Sequence, residues 1–286
     1  MGTSNAYPGP VGANPLLPPW APPLDIPDEE LPESTDGDAE QEQDGRGEPE
    51  EALPPTQNPW RTPKDAMTRY ARDGGRGPNA QRSLRRAARG FVRGQGGARG
   101  ATRASTAGRT TARNLGGFLS TAAASGVDAA AREFGLAYVG QDVDAFFVAL
   151  VDAIAPAGAM VEEAVARDAA AETVAQLFEQ YAVRENGLEV LNALTPQAIG
   201  EALGLYVATY INTRLMDVLA SRIEKAAGSH LQAYRMEREV KEYIVERVKL
   251  EFDTSSALTF SLQDERGRQI VEGIFREGYE LLETWQ

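Results

Sequence analysis

Between Asp25 and Gln57 the chain offers almost nothing to bury. Ile26, Leu31 and Leu53 are the only large aliphatic residues there, while thirteen acids against the single base Arg46 give residues 25–53 a net charge of −12. Fixing each residue of such a stretch costs about 1–2 kcal/mol of backbone entropy. Three aliphatic side chains, at about 1.5–3 kcal/mol each when fully buried, cannot offset that. The stretch is expected to be disordered, and any core must come from the sequence that follows it.

The flanking sequence carries opposite electrical character. Residues 1–24 contain no Asp, Glu, Lys, Arg or His and are rich in Pro, Gly and small residues. Residues 61–113 carry fourteen bases against Asp65 and Asp73, a net of +12, and residues 114–286 carry fourteen bases against twenty-seven acids, a net of −13. The whole-chain charge of −13 therefore hides a basic segment set between two acidic ones. Such asymmetry points to interaction surfaces before it points to a catalytic pocket.

Several chemistries are disfavoured from the outset. There is no cysteine, so disulfides and thiolate catalysis are excluded. The one histidine, His230, has no second histidine or thiolate with which to hold a transition metal, and no evident nucleophile to serve as a base. It reads as a helix-boundary or surface residue. Gly94-Gln95-Gly96-Gly97-Ala98-Arg99 has two glycines of a dinucleotide fingerprint, but Arg99 stands where the third belongs and no strand precedes it. The acids Asp142, Asp144, Glu162 and Glu163 fall at helix starts, where they suit the positive end of the helix dipole. The expectation is a protein without enzymatic activity, cofactor or metal. No run of eighteen apolar residues suggests a membrane span, and the leader lacks a basic n-region and an apolar h-region. Met1-Gly2 is followed by Ala6 where myristoylation calls for Ser or Thr. A cytoplasmic location without membrane attachment is expected.

After about residue 63 the apolar spacing becomes helical. Asn79 reads as the cap of a helix over Ala80–Arg93, with Leu84, Ala88, Phe91 and Val92 on one side and Arg82, Arg85, Arg86, Arg89 and Arg93 around it. Asp142 reads as the cap of a helix reaching Ile154, and Met160–Ala182 as another, stopped by Asn186-Gly187. Thr195-Pro196 marks a strong start, since Thr can cap and Pro suits the first helical position. Gly228-Ser229 marks a break, a further helix is expected to about Phe252, and a last one carries Ile270, Ile274, Phe275, Leu281 and Leu282. Only Ala257–Leu262 alternates weakly in the manner of a strand. The chain thus divides into a disordered leader and acidic linker (1–62), a partly helical Arg/Gly-rich basic arm (63–113) and an all-α domain (114–286).

Two sets of residues stand out as binding candidates. Pro18, Pro19 and Trp20 end the uncharged leader, and Trp60 follows the acidic linker. Each is either a docking anchor in an apolar-poor tail or part of a plain tail. Within the arm, Arg82, Arg85, Arg86, Arg89 and Arg93 with Phe91 can engage either an acidic protein surface or a phosphate backbone. Aromatic platforms for base stacking are few.

Several separated segments carry a family resemblance. Met1-Gly2-Thr3-Ser4 leads into the Pro-rich stretch ending Pro18-Pro19-Trp20, and an Arg/Gly/Ala region runs from Arg69 through Arg113. Ala155-Pro156 then precedes Val161-Glu162-Glu163-Ala164-Val165-Ala166-Arg167, followed by Glu172-Thr173-Val174-Ala175, Leu194-Thr195-Pro196-Gln197 and Leu205-Tyr206-Val207-Ala208-Thr209. In this order they resemble the QatB family of the bacterial Qat antiphage defence system. The likeness covers roughly residues 1–24 and 65–225. It implies a non-enzymatic subunit working beside the QueC-like protein of the same operon (QatC), an ATPase and a TatD-like nuclease. It further implies that a deazaguanine-type group could be attached to the amino terminus, which places Gly2 as acceptor once Met1 is removed. The alternative is an adaptor that uses the arginine-rich arm to deliver DNA or RNA to the nuclease.

Overall fold

The computed structural model describes residues 58–136, 142–155, 158–249 and 264–285, and every regular element among them is helical. In chain order these are α1 (Arg61–Arg72), α2 (Gly77–Gly94), α3 (Gly97–Ala104), α4 (Thr106–Ser125) and α5 (Val127–Glu133). There follow α6 (Val143–Ile154), α7 (Val161–Gln180), α8 (Val183–Asn186), a 3-10 turn at Leu188–Ala193, α9 (Pro196–Ala226), α10 (His230–Lys249) and α11 (Glu265–Glu283). The all-α expectation holds. The leader with Gly2, Pro18, Pro19 and Trp20, the acidic linker, and the weak alternation at Ala257–Leu262 lie outside the described residues.

The central element is α9. The Thr195 hydroxyl accepts the Ala198 N–H at 3.2 Å and Pro196 sits in the first turn, as the sequence indicates. Every residue from Ala202 to Asn212 is buried, so for three turns this helix has no solvent face and stands inside the molecule. It is 31 residues long, about 46 Å at 1.5 Å per residue. Helices α1, α4, α7, α10 and α11 pack around it. After α11, the Trp285 ring stacks on Tyr243 of α10 at 5.2 Å between centroids.

The basic segment 63–113 is not an appended arm. Its helices belong to the core cluster, and a boundary at 113/114 would cut α4 in the middle. Much of what it buries is small: Ala66, Ala80, Ala87, Ala88, Ala98, Ala101, Gly108 and Ala112, with Met67, Tyr70, Leu84, Phe91 and Val92 among them. Small side chains let helices approach closely, so modest apolar area still yields dense packing. Gly94 shows the closeness, since a Cβ there would meet the Trp60 ring at 3.2–3.4 Å.

Two helix limits differ from the sequence reading. Helix α2 starts at Gly77 with Pro78 in its first turn, and Asn79 lies inside the helix, its carboxamide accepting from Arg82 Nη1 at 3.5 Å. The fixed φ of Pro78 suits a first turn better than Asn79 suits a cap. Helix α7 stops at Gln180, two residues early, because Ala182 adopts a left-handed φ of 47°. Gly187 ends the short α8 instead.

The front helices borrow their amino-terminal caps from the back of the chain. None of the residues before α3, α4 and α5 supplies a side-chain cap. Instead Glu283 of α11 accepts the Ala98 N–H at 3.0 Å, and Glu162 of α7 accepts the Ala107 and Gly108 N–H groups at 2.8 and 2.9 Å. Asn192 accepts the Val127 N–H at 2.7 Å. Helix starts leave orphan N–H donors and a positive dipole end, and an acceptor there stabilises by about 0.5–2 kcal/mol.

Candidate functional site

On α2 the arginines occupy the side opposite the core. At 100° per residue, the buried Ala80, Leu84, Ala87, Ala88 and Phe91 cluster on one face, and Arg82, Arg86, Arg89 and Arg93 cluster on the other. Arg82, Arg86 and Arg93 are exposed, while Arg85 and Arg89 are half-buried. Arg85 Nε donates to the Gln81 carbonyl at 3.4 Å. Among the described residues, none of Arg82, Arg86, Arg89 and Arg93 is ion-paired with a carboxylate. Arg99 and Arg103 of α3 and Arg69, Arg72 and Arg76 around α1 are exposed as well. The nearby Asp65 is engaged with Arg61 at 3.9 Å. Arg82, Arg86 and Arg93, with the half-buried Arg89 between them, therefore form one outward face that meets no carboxylate among the described residues.

The aromatic candidates do not join it. Phe91 is 1% exposed and is a core residue, so it is closed to any partner. Trp60 is half-buried against Phe91, with ring centroids 6.1 Å apart, and serves as intramolecular packing at the start of α1. An isolated Trp in an apolar-poor stretch reads alike as anchor or as core; the neighbour it meets decides.

Helices α7 and α10 both rest on α9 and leave a groove between them. Lys241 and Glu172 pair across it. On one side of that bridge lies a hollow of about 640 Å³ with Asn212 and Met216 at its floor and Val161, Asp168, Asp217 and Tyr234 on its walls. Val161 and Tyr234 are each 65% exposed. Asn212 is buried and its Oδ1 has no hydrogen-bond partner. No sequence motif marks this groove, because three separated helices build it.

A buried polar cluster was also not legible from spacing. Besides its two backbone donors, Glu162 accepts the Tyr210 hydroxyl at 2.6 Å. Arg214 donates to Tyr210 Oη at 3.3 Å and to Gln95 Oε1 at 3.1 Å. The Tyr206 hydroxyl donates to the Gly108 carbonyl at 3.1 Å, and the Ser105 and Tyr279 hydroxyls lie 2.9 Å apart. Gly108 is required here, since a Cβ would sit 2.6 Å from the Tyr210 ring. Burial pushes all three phenols up, Tyr279 to about 12 and Tyr206 and Tyr210 well above the ordinary phenol range. They keep their protons at neutral pH and act as donors that tie α4, α7, α9 and α11 together, not as bases. The sequence reading assigned Glu162 to its own helix dipole; the structure turns it toward the start of α4.

His230 is exposed at the first residue of α10. Among the described residues no group of three His, Asp or Glu side chains could hold a metal ion, and no helix is long and apolar enough to cross a membrane.

A family model described as the Qat anti-phage system associated protein QatB matches residues 96–282, more than half of the chain. Its match begins at the residue before α3 and ends within α11, so α1 and α2 lie outside it. Neither curated proteins nor solved structures give a match.

Proposed function

Since the chain belongs to the QatB family of the Qat anti-phage system, we propose that it is a non-enzymatic subunit that binds the QueC-like protein of that system, QatC, and presents its own amino terminus for a deazaguanine-type modification at Gly2. The observation that carries this reading is the leader. Residues 1–24 hold no Asp, Glu, Lys, Arg or His, so a free amine at their tip can enter a concave active site without charge repulsion or desolvation of side-chain ions. Gly2 is small enough to permit removal of Met1. Residues 25–53, which follow the leader in sequence, carry a net charge of −12. Pro18, Pro19 and Trp20 are the contacts expected on QatC. The Qat ATPase and the TatD-like nuclease are further partners of this reading.

Intact-mass measurement of the full chain coexpressed with QatC, under ATP and precursor supply, tests it. A covalent addition confined by fragmentation to the amino-terminal peptide is the expected result. An unmodified amine on protein that co-purifies with QatC overturns the acceptor role.

A further inference from the structure

The arginine face of α2 has no task in the reading above, and it lies outside the residues that the family model matches. From Arg82 to Arg93 the helix rises about 16 Å. Along that line Arg82, Arg86, Arg89 and Arg93 meet no carboxylate among the described residues. A nucleic-acid duplex carries one negative charge per about 1.7 Å of axis, so a contact of this length meets more phosphates than arginines. A protein partner would need a comparably dense row of unneutralised carboxylates.

Two further observations separate the possible occupants. Protein interfaces draw their energy from aromatic and aliphatic anchors in buried pockets. Among the described residues, the exposed large hydrophobic side chains Val148, Met160, Val161, Leu231 and Tyr234 all lie after α5. Besides its arginines, α2 exposes Gly77, Pro78, Asn79 and Gln81 in its first turns, and the side-chain amides of Asn79 and Gln81 suit phosphate oxygens. Single-strand binders add aromatic rings on which bases stack. Tyr70 and Phe91 are buried, and Trp60 is turned onto Phe91.

We propose that the outer face of α2 binds the phosphate backbone of a nucleic-acid duplex without reading its sequence. The guanidinium groups supply charge and bidentate donors, and the duplex releases counterions on contact. This inference stands apart from the amino-terminal modification, and either can fail without the other.

Fluorescence anisotropy of the full chain with 20-bp duplexes of two unrelated sequences, as DNA and as RNA, and with a single strand of the same length, tests the proposal. The expected result is equal affinity for the two sequences and a slope of log K against log salt of about −3.6 between 50 and 200 mM, as four phosphate contacts on a duplex require. Replacing Arg82, Arg86, Arg89 and Arg93 together by Gln lowers duplex affinity at 50 mM salt at least tenfold, while replacing them by Lys keeps the slope. Both variants retain the far-UV dichroism of the parent, since these side chains lie on the solvent side of the helix. A parent that binds no duplex at 50 mM salt, a tenfold preference for the single strand, or a folded Gln variant with undiminished affinity overturns the proposal. Equal duplex binding with loss of QatC capture in the Gln variant overturns it in favour of a protein partner.

Discussion

The front of the helical unit, α1 to α5, and the back, α6 to α11, are both entirely helical but reach that state by different routes. The back helices are locally specified. Asp142 caps α6, Thr195 caps α9 and Asp264 caps α11 from their own sequence, and Phe146, Phe178, Tyr206, Tyr210 and Phe275 fill the space between them. The front helices bury mostly Ala and Gly, carry the positive charge outward, and take their caps from Glu162, Asn192 and Glu283. A basic, alanine-rich sequence can therefore be integral to a core when acceptors for its helix starts come from elsewhere. Charge and hydropathy alone describe it as an arm.

Three measurements can break or sharpen this contrast. The largest effect is expected at Glu162. Its replacement by Ala strips the acceptor from two N–H groups and the Tyr210 hydroxyl. Orphaned donors of this kind cost about 1–3 kcal/mol each where water cannot reach them, so urea unfolding should show a loss of about 3 kcal/mol or more, reduced in Glu162→Gln. A loss below 1 kcal/mol would mean that the front helices do not depend on the back.

Alkaline pH addresses the same seam. Burial holds the Tyr279 phenol up at about 12, above the unfolded value of about 10. The folded state thus favours the protonated form. Its stabilisation is whole below pH 10 and is lost as pH rises through 12, on the order of 2–3 kcal/mol for a shift of this size. Thermal melts from pH 9 to 12 should fall steeply, and less steeply in Tyr279→Phe. A flat profile would remove the tyrosine cluster from the account.

The smallest effect is expected where the cap is local. Thr195→Ala removes one side-chain acceptor at the start of α9 and should cost about 1 kcal/mol, with front and back remaining one cooperative unit. Separate transitions for the two regions in this variant would show that α9 couples them through its first turn and not through its buried middle.

How much of this was legible in the sequence follows the same division. Caps that act on their own helix (Asp142, Thr195) and the break at Gly228-Ser229 appear in the spacing because cause and effect are three residues apart. Glu162 gives no such signal, since its donors at Ala107 and Gly108 lie more than fifty residues away. The outward side of α2 on which Arg82, Arg86, Arg89 and Arg93 sit was readable from their offset to Leu84, Ala88 and Phe91. Phe91 reads both on the apolar side of its helix and as a binding candidate, and its burial against Trp60 leaves only the first role. Likewise, the groove floored by Asn212 depends on the relative placement of α7, α9 and α10, which no local pattern encodes.

The two tryptophans of the helical unit have an optical consequence. Trp60 lies against Phe91 at the first turn of α1, and Trp285 lies against Tyr243 just past α11. With Trp20 replaced by Phe, the emission of the chain comes from these two indoles alone, one on the front helices and one on the back. Each can be silenced in turn, so a single fluorescence trace reports which end of the molecule loosens first.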